Sequence, residues 1–222
     1  MQIEKATIDF LKKIKKNNTR AWFQDHKSDY QKAKTNVDAF SKHVFDKLSQ
    51  SDELEFYKVH RIYRDVRFSK NKSPYKEWFS CYLKRFGLQR RGGYIFCVEP
   101  GENFVGGGFY SPNTEDLLRV RKEIEVDGAS LQAIIEQPAF IEEFGAMQGE
   151  KLKTAPRGFD KDHKHIDLLR MKQLYARRMY TDQEVLQKDF ADRIIHTFIQ
   201  LRPFFDYMSE VLTTDMNGES IL

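Results

Sequence analysis

The spacing of apolar residues changes twice along this chain, and that double change constrains the fold more than any other feature. Between Asp29 and Ser49 the residues Tyr30, Ala33, Val37, Phe40, Val44 and Leu48 recur three or four apart, the spacing of one buried helix face. From Phe56 to Tyr110 the pattern becomes β-branched and aromatic, with alternation. From residue 113 the helical spacing returns with Leu117, Val120 and Ile124. A chain that is helical at both ends and strand-forming in the middle predicts an α+β fold.

The middle reads as an antiparallel meander, because its strands are joined by connections too short for a parallel crossover. "KVHRIYRDVRF" is the first strand, with Ile62, Val66 and Phe68 on one face and Arg64 among them. Arg61, Tyr63, Asp65 and Arg67 fall on the other face. "SKNKSP" breaks it, and "YKEWFSCYLKRF" follows with Phe79, Cys81 and Leu83 alternating. "RRGGYIFCVEPGENFVGGGFY" predicts strands over 93–98 and 104–110, joined by a turn at Pro100-Gly101-Glu102-Asn103.

Around this meander the pattern places helices at 7–16, after a Thr19 cap, and from about 29 to 49. Further helices are expected at 113–126, near 130–136 and at 138–144, the last opened by Pro138. "KLKTAPRGFDKDH" is a loop, Asp162 is expected to cap a helix over His165 to Leu169, and "MKQLYARRMY" (171–180) reads as a strand. The final stripe, Phe190, Ile194, Phe198, Leu201, Phe205, Met208 and Leu212, is one helix kinked by Pro203. The expectation is a single α+β domain over 1–222. Its central antiparallel sheet (about residues 56–110 plus 171–180) is packed by N-terminal and C-terminal helices.

No apolar run approaches the roughly 18 residues of a membrane span, and "MQIEKATIDFLKKIKKNN" carries acids unlike a signal peptide. Cys81 and Cys97 form neither a disulfide framework nor a zinc signature, so two reduced thiols in a cytoplasmic protein are expected. Walker, dinucleotide, H-E-x-x-H, C-x-x-C and G-x-S-x-G motifs are all missing, and no cofactor is expected. "DKDHKH" (160–165) has oxygen and imidazole ligands, but it reads better as a helix start than as a metal site.

Charge supplies the functional lead. The net charge is only +4, yet residues 58–91 hold eleven Lys or Arg against two acids, and residues 151–178 hold nine against three. Clustered positive charge points to an anionic partner. Arg61, Arg67, Lys72, Lys76, Lys153 and Arg157 are the candidate anion ligands, provided the two basic loops converge. Tyr75, Tyr94 and Tyr110 are candidate hydrogen-bonding or stacking partners. In a regular strand Arg61 and Arg67 stand about 20 Å apart, so one phosphate would need Arg67 with the loop lysines Lys70 and Lys72, or with Lys76. Asp65 or Glu99 is the acid/base candidate if there is chemistry, and no nucleophile stands out. Arg64, on the apolar face, needs a carboxylate such as Glu99. Gly106-Gly107-Gly108 signals a bulge or a place where a backbone or ligand comes very close.

"FLKKIKKNNTRAWFQDHKSDY", "RIYRDVRFSKNKSPYK", "EPGENFVGGGFY" and "LKTAPRGFDKDH", in this order, resemble a bacterial and fungal family catalogued as domain of unknown function 2461. The similarity runs from about residue 8 to residue 208. That family often has Asp where this chain has Asn71. The resemblance implies that the arginine-rich strand, the glycine-rich strand and the Lys-Thr-Ala-Pro-Arg-Gly-Phe loop are family hallmarks, and it implies no reaction.

Three function classes follow. The first is binding of a small phosphorylated or carboxylated anion, with or without catalysis. The second is a structural or protein-interaction domain whose arginines brace its own sheet. The third is nucleic-acid binding, for which basic strands interleaved with Tyr and Phe are suited but the low net charge is not.

Overall fold

The computed structural model describes residues 1–67, 70–215 and 217–222. In chain order the elements are α1 (Lys5–Lys16), α2 (Arg20–Asp25), α3 (Lys27–Leu48), β1 (Leu54–Val59), β2 (Phe79–Arg85), β3 (Gly93–Val98) and β4 (Asn103–Phe109). There follow α4 (Thr114–Ile135), α5 (Pro138–Phe144), α6 (Ile166–Leu169), β5 (Leu174–Tyr180), α7 (Asp182–Val185), α8 (Phe190–Gln200) and α9 (Arg202–Thr213). The strands form one antiparallel sheet in sequence order, β1-β2-β3-β4-β5. The protein is α+β with a central sheet, as the double change of periodicity requires.

The chain gathers into two compact units. The first comprises Met1–Lys84, Ile95–Val105 and Met179–His196; the second comprises Arg85–Tyr94, Gly106–Arg178 and Thr197–Leu222.

In the first unit the helical stripes meet the sheet through rings. Phe10 of α1 faces Phe79 of β2 (6.4 Å between centroids), and Phe40 of α3 packs edge-on against Phe96 of β3 and stacks with Phe190 of α8 (5.7 and 5.8 Å). All five rings are buried, and such pairs add about 0.5–1.5 kcal/mol each beyond area burial. Thr19 caps α2 by accepting from the Trp22 N–H. Between β3 and β4, Glu102 N–H donates to the Glu99 carbonyl (2.7 Å), and Gly101 takes φ +87° behind Pro100, the geometry of a type II turn. Buried Asn103 holds that turn: its Oδ1 accepts from Glu99 N–H (3.0 Å), and its Nδ2 donates to Asp182 Oδ1 (2.9 Å) and the Tyr180 carbonyl (3.3 Å). Asp182 also accepts from Gly101 N–H (2.9 Å) and pairs with Lys12 of α1 (2.7 Å).

In the second unit the glycine triplet has a backbone explanation. A Cβ on Gly106 would lie 2.2 Å from the Ala176 carbonyl oxygen of β5, and one on Gly108, which has φ +141°, would lie 2.4 Å from that of Leu174. On Gly107 it would meet the Gly93 carbonyl oxygen of β3 at 2.5 Å. The close approach is therefore that of neighbouring strands. Arg85 is 1 % exposed; its guanidinium pairs with Asp206 (2.6 Å), reaches the Arg91 carbonyl (3.3 Å) and lies over the Phe205 ring. Other arginines also bind main-chain oxygens. Arg119 holds Val211 and Thr214, Arg121 holds Leu169 and Met171, and Arg170 holds Leu152 and Lys153.

Several expectations shift. The strand expected over 58–68 ends at Val59, and Phe68 lies outside the described residues. Alternation survives without the strand, since Ile62 is buried, Arg64 and Val66 are half-buried, and Arg61, Tyr63, Asp65 and Arg67 are exposed. Beyond β1 the His60 N–H still donates to the Ser80 carbonyl (2.9 Å), and among the described residues the next pairing is a bridge, Tyr63 to Tyr75, flanked by Arg64 N–H to the Pro74 carbonyl and Lys76 N–H to the Ile62 carbonyl; Pro74, lacking an N–H, returns no bond to Arg64. The helices expected at 113–126 and 130–136 are the two arms of α4, kinked at Asp127 (φ −136°, ψ 66°). Among the described residues Asp162 caps no helix: α6 starts at Ile166, with His165 at its N-cap and no side-chain hydrogen bond there. The last stripe breaks at Leu201 into α8 and α9, with Pro203 in the first turn of α9.

Candidate functional site

Two of the basic residues singled out by the sequence, Arg61 and Lys76, belong to a polar cluster in the first unit. The hairpin that fails to become a strand builds it. The bridge at Tyr63 and Tyr75 fixes the register, and the main chain just past β1 keeps His60 beside Ser80 of β2, its N–H donating to the Ser80 carbonyl (2.9 Å) and its Nδ1 3.1 Å from Oγ. Tyr75 is a post rather than a lining residue. It is buried, stacked on Phe23 at 4.0 Å, and clamped by Asn18, which accepts its N–H (3.1 Å) and donates to its carbonyl (3.0 Å).

The same Tyr75 carbonyl accepts Nε and Nη2 of Arg64 (3.4 Å each), and the guanidinium lies 5.1 Å from the centroid of Trp78. The carboxylate expected for Arg64 is thus replaced by a carbonyl and a ring face; among the described residues it makes no ion pair. A guanidinium tolerates this because its charge is spread out and weakly hydrated.

The electrostatics divide the cluster into two lobes. Lys76 is half-buried, and among the described residues its ammonium has neither a hydrogen bond nor an ion pair. Burial, then the charges of Arg61 and Arg64, push its pKa down. Burial, then Lys76 and Lys58, push the His60 pKa down as well, with a hydrogen bond to the Ser80 main chain working the other way. This lobe is positive. Glu99 marks the opposite one. Burial raises its pKa and Glu102 and Glu77 add to the rise, while Lys15 and Arg64 hold it back. The Arg64 charge acts on both, pushing the Lys76 pKa down and holding the Glu99 pKa back.

Neighbouring basic residues are engaged locally. Arg67 grips Asp65 with two bonds (Nε to Oδ1 3.0 Å, Nη2 to Oδ2 2.7 Å), and that hydrogen bond pulls the Asp65 pKa down. Lys72 donates to the Val66 carbonyl at 2.9 Å. Asp65, Arg67 and Lys72 therefore fasten the loop on itself.

Four candidates lie in the second unit. Tyr94 is fully buried between Phe198 and Phe205 (4.7 and 5.0 Å). Tyr110 is exposed and leans on Tyr175 at 5.4 Å. Lys153 is exposed on a loop whose main chain Arg170 ties down, and Arg157 sits on a turn closed by Phe159 N–H to the Pro156 carbonyl, with Gly158 at φ +88°. In "DKDHKH" both ring nitrogens of His163 meet main-chain groups, the His165 N–H and the Glu125 carbonyl. Asp160 accepts from the Asp162 N–H.

His60 and Lys58 escaped sequence reasoning because a single His ending a strand carries no motif. Only the fold sets it against Ser80 and Lys76. Arg64 was legible as an anomaly, a cation on an apolar face.

No curated protein and no solved structure matches the chain. A family model does match, over residues 6–207, which is nearly the whole sequence. The chain belongs to the family described as "Conserved hypothetical protein (DUF2461)".

Proposed function

We propose that the first unit binds a small phosphorylated or carboxylated anion at the positive lobe formed by Arg61, Arg64 and Lys76. The observation that carries this reading is Lys76. Its ammonium is half-buried beside two guanidiniums and, among the described residues, has no counter-ion. Each neighbouring cation raises the cost of its charge, and one anion placed among them relieves all three interactions together. Free donors then act as ligands: the Lys76 ammonium as a point charge and the Arg61 guanidinium as a fork. Arg67 and Lys72 support the site by fastening its loop, not by touching the anion. The buried free thiols fit a reducing, cytoplasmic setting. Among the described residues no helix is long and apolar enough to cross a membrane.

A thermal-shift series with sulfate, phosphate, nucleotides, sugar phosphates, dicarboxylates and a short single-stranded oligonucleotide, at two salt concentrations, tests the reading. A small anion at 100 times its Kd adds about 2.7 kcal/mol to stability. That shift is expected to persist in salt and to vanish in Lys76→Met and in Arg61→Ala. An oligonucleotide shift that collapses with salt would instead identify a nucleic-acid surface.

The many arginines bound to main-chain carbonyls favour a second reading, a domain whose arginines brace its own backbone. On that reading Lys76→Met and Arg61→Ala change the midpoint itself and remove no ligand response.

A further inference from the structure

We propose that the anion bound at Arg61, Arg64 and Lys76 is taken up together with a proton, and that the proton resides on the imidazole of His60. The proposal rests on the anion-binding reading above and assigns that site a regulator, pH.

The geometry places His60 where its charge state matters. Its ring is half-buried at the end of β1, with Nδ1 engaged by Ser80 of β2. Among the described residues Nε2 has no hydrogen-bond partner, and no carboxylate pairs with the ring. The charged groups facing it are Lys58 from β1 and Lys76 from the segment that enters β2. Burial and both ammonium groups disfavour the imidazolium and favour the neutral ring. An anion held by Lys76 reverses the local field. It screens the ammonium from the ring and adds a negative charge that favours the imidazolium, whose two N–H groups both donate. A proton from solvent then adds to the neutral ring nitrogen and forms an N–H bond, and no other bond changes. By linkage, a group whose pKa rises on binding strengthens binding as pH falls toward its free-state value.

One other group in the cluster titrates upward from the ordinary carboxylate range, Glu99, which faces Lys15, Arg64, Glu77 and Glu102. Protonating Glu99 would also favour an anion, so the test must separate the two. Sulfate is the probe, because it remains a dianion between roughly pH 5 and 8, where an unperturbed histidine (about 6.5) titrates. Sulfate affinity is measured across that range in the wild type, His60→Gln and Glu99→Gln. The histidine Cε1–Hε1 signals are followed in parallel, with His60 assigned by its loss in His60→Gln. The expected result is sulfate binding that tightens several-fold toward low pH in the wild type and in Glu99→Gln but not in His60→Gln. The His60 pKa lies below the usual histidine value without sulfate and rises with it. Sulfate binding with a flat pH profile and an unmoved His60 signal overturns the proposal while leaving the anion site standing. So does a profile that flattens only in Glu99→Gln. No sulfate response at any pH removes the anion site itself, and this proposal with it.

Discussion

Replacing Gly106 by Ala puts one methyl group where the β5 backbone already is. The added Cβ would sit 2.2 Å from the Ala176 carbonyl oxygen and 2.7 Å from Arg177 Cα. A relaxed carbon-to-oxygen contact is about 3.3 Å, so the strands must separate locally by about 1 Å. Both obstacles are main chain, so no rotamer change makes room. An N–H···O bond stretched from about 2.9 to 3.9 Å is lost. Losing two or three such bonds beside the substitution costs about 1 kcal/mol each, and overpacking strain is of the same order. The expected destabilisation is about 2–4 kcal/mol, or about 5–15 °C in Tm for a chain of this size. Urea or thermal denaturation measures it, with Gly101→Ala as the reference. Gly101 has φ +87° and nothing within 4 Å of its added Cβ, so that variant carries only the left-handed backbone cost of about 1–2 kcal/mol. If Gly106→Ala unfolds no more easily than Gly101→Ala, close strand approach is not the reason for glycine there.

Other expectations concern the same two units. Asn103→Ala strips partners from Glu99 N–H and the Tyr180 carbonyl, and should lower stability by about 2–3 kcal/mol in urea melts. Burial pushes the Cys81 thiol up to about 12 and Cys97 higher still. At pH 8 both should resist a thiol-specific reagent until the protein is unfolded, and rapid labelling of the native protein would contradict this. These raised values also fix a sign. The unfolded thiols ionise from about 8.5 while the folded ones stay protonated. The thiol contribution to stability is therefore complete below that pH and lost as pH climbs toward 12. Arg67→Ala should leave a small-anion response in place while Lys76→Met abolishes it, because Arg67 is committed to Asp65. The reverse pattern in a sulfate titration would move the site to the loop.

What the sequence disclosed, and what it withheld, follows from the range of each interaction. The stripes of α1 and α3 were readable because helical periodicity is local, and so were β3 and the turn after it, where Pro100 and Gly101 dictate the backbone. The alternation in "RIYRDVR" was real as a burial pattern, but a ladder needs a partner, and Pro74 in the facing segment has no N–H to return to Arg64 beside the Tyr63–Tyr75 bridge. The expected Asp162 cap failed because His165 takes the N-cap of α6. The glycine triplet announced a close approach, yet only the fold shows that backbones make it. For the candidate site, clustered positive charge was visible in composition. Which cations are spent on carbonyls and carboxylates was not, since the partners of Arg64 and Arg85 lie 11 and 121 residues away.

The lock on the β3–β4 turn has a consequence for the order in which the native state is assembled. Asp182 holds Gly101 and Asn103 across separations of 81 and 79 residues, and Lys12 from still further back. During synthesis at about 5–20 residues per second, the hairpin waits roughly 4–16 s for the carboxylate that fastens it. Until then the Asn103 amide has only its local bond to Glu99. Hairpin closure can be early and local, but its rigid form is a late event, gated by the arrival of α7 and by the loop-closure entropy of a long chain segment.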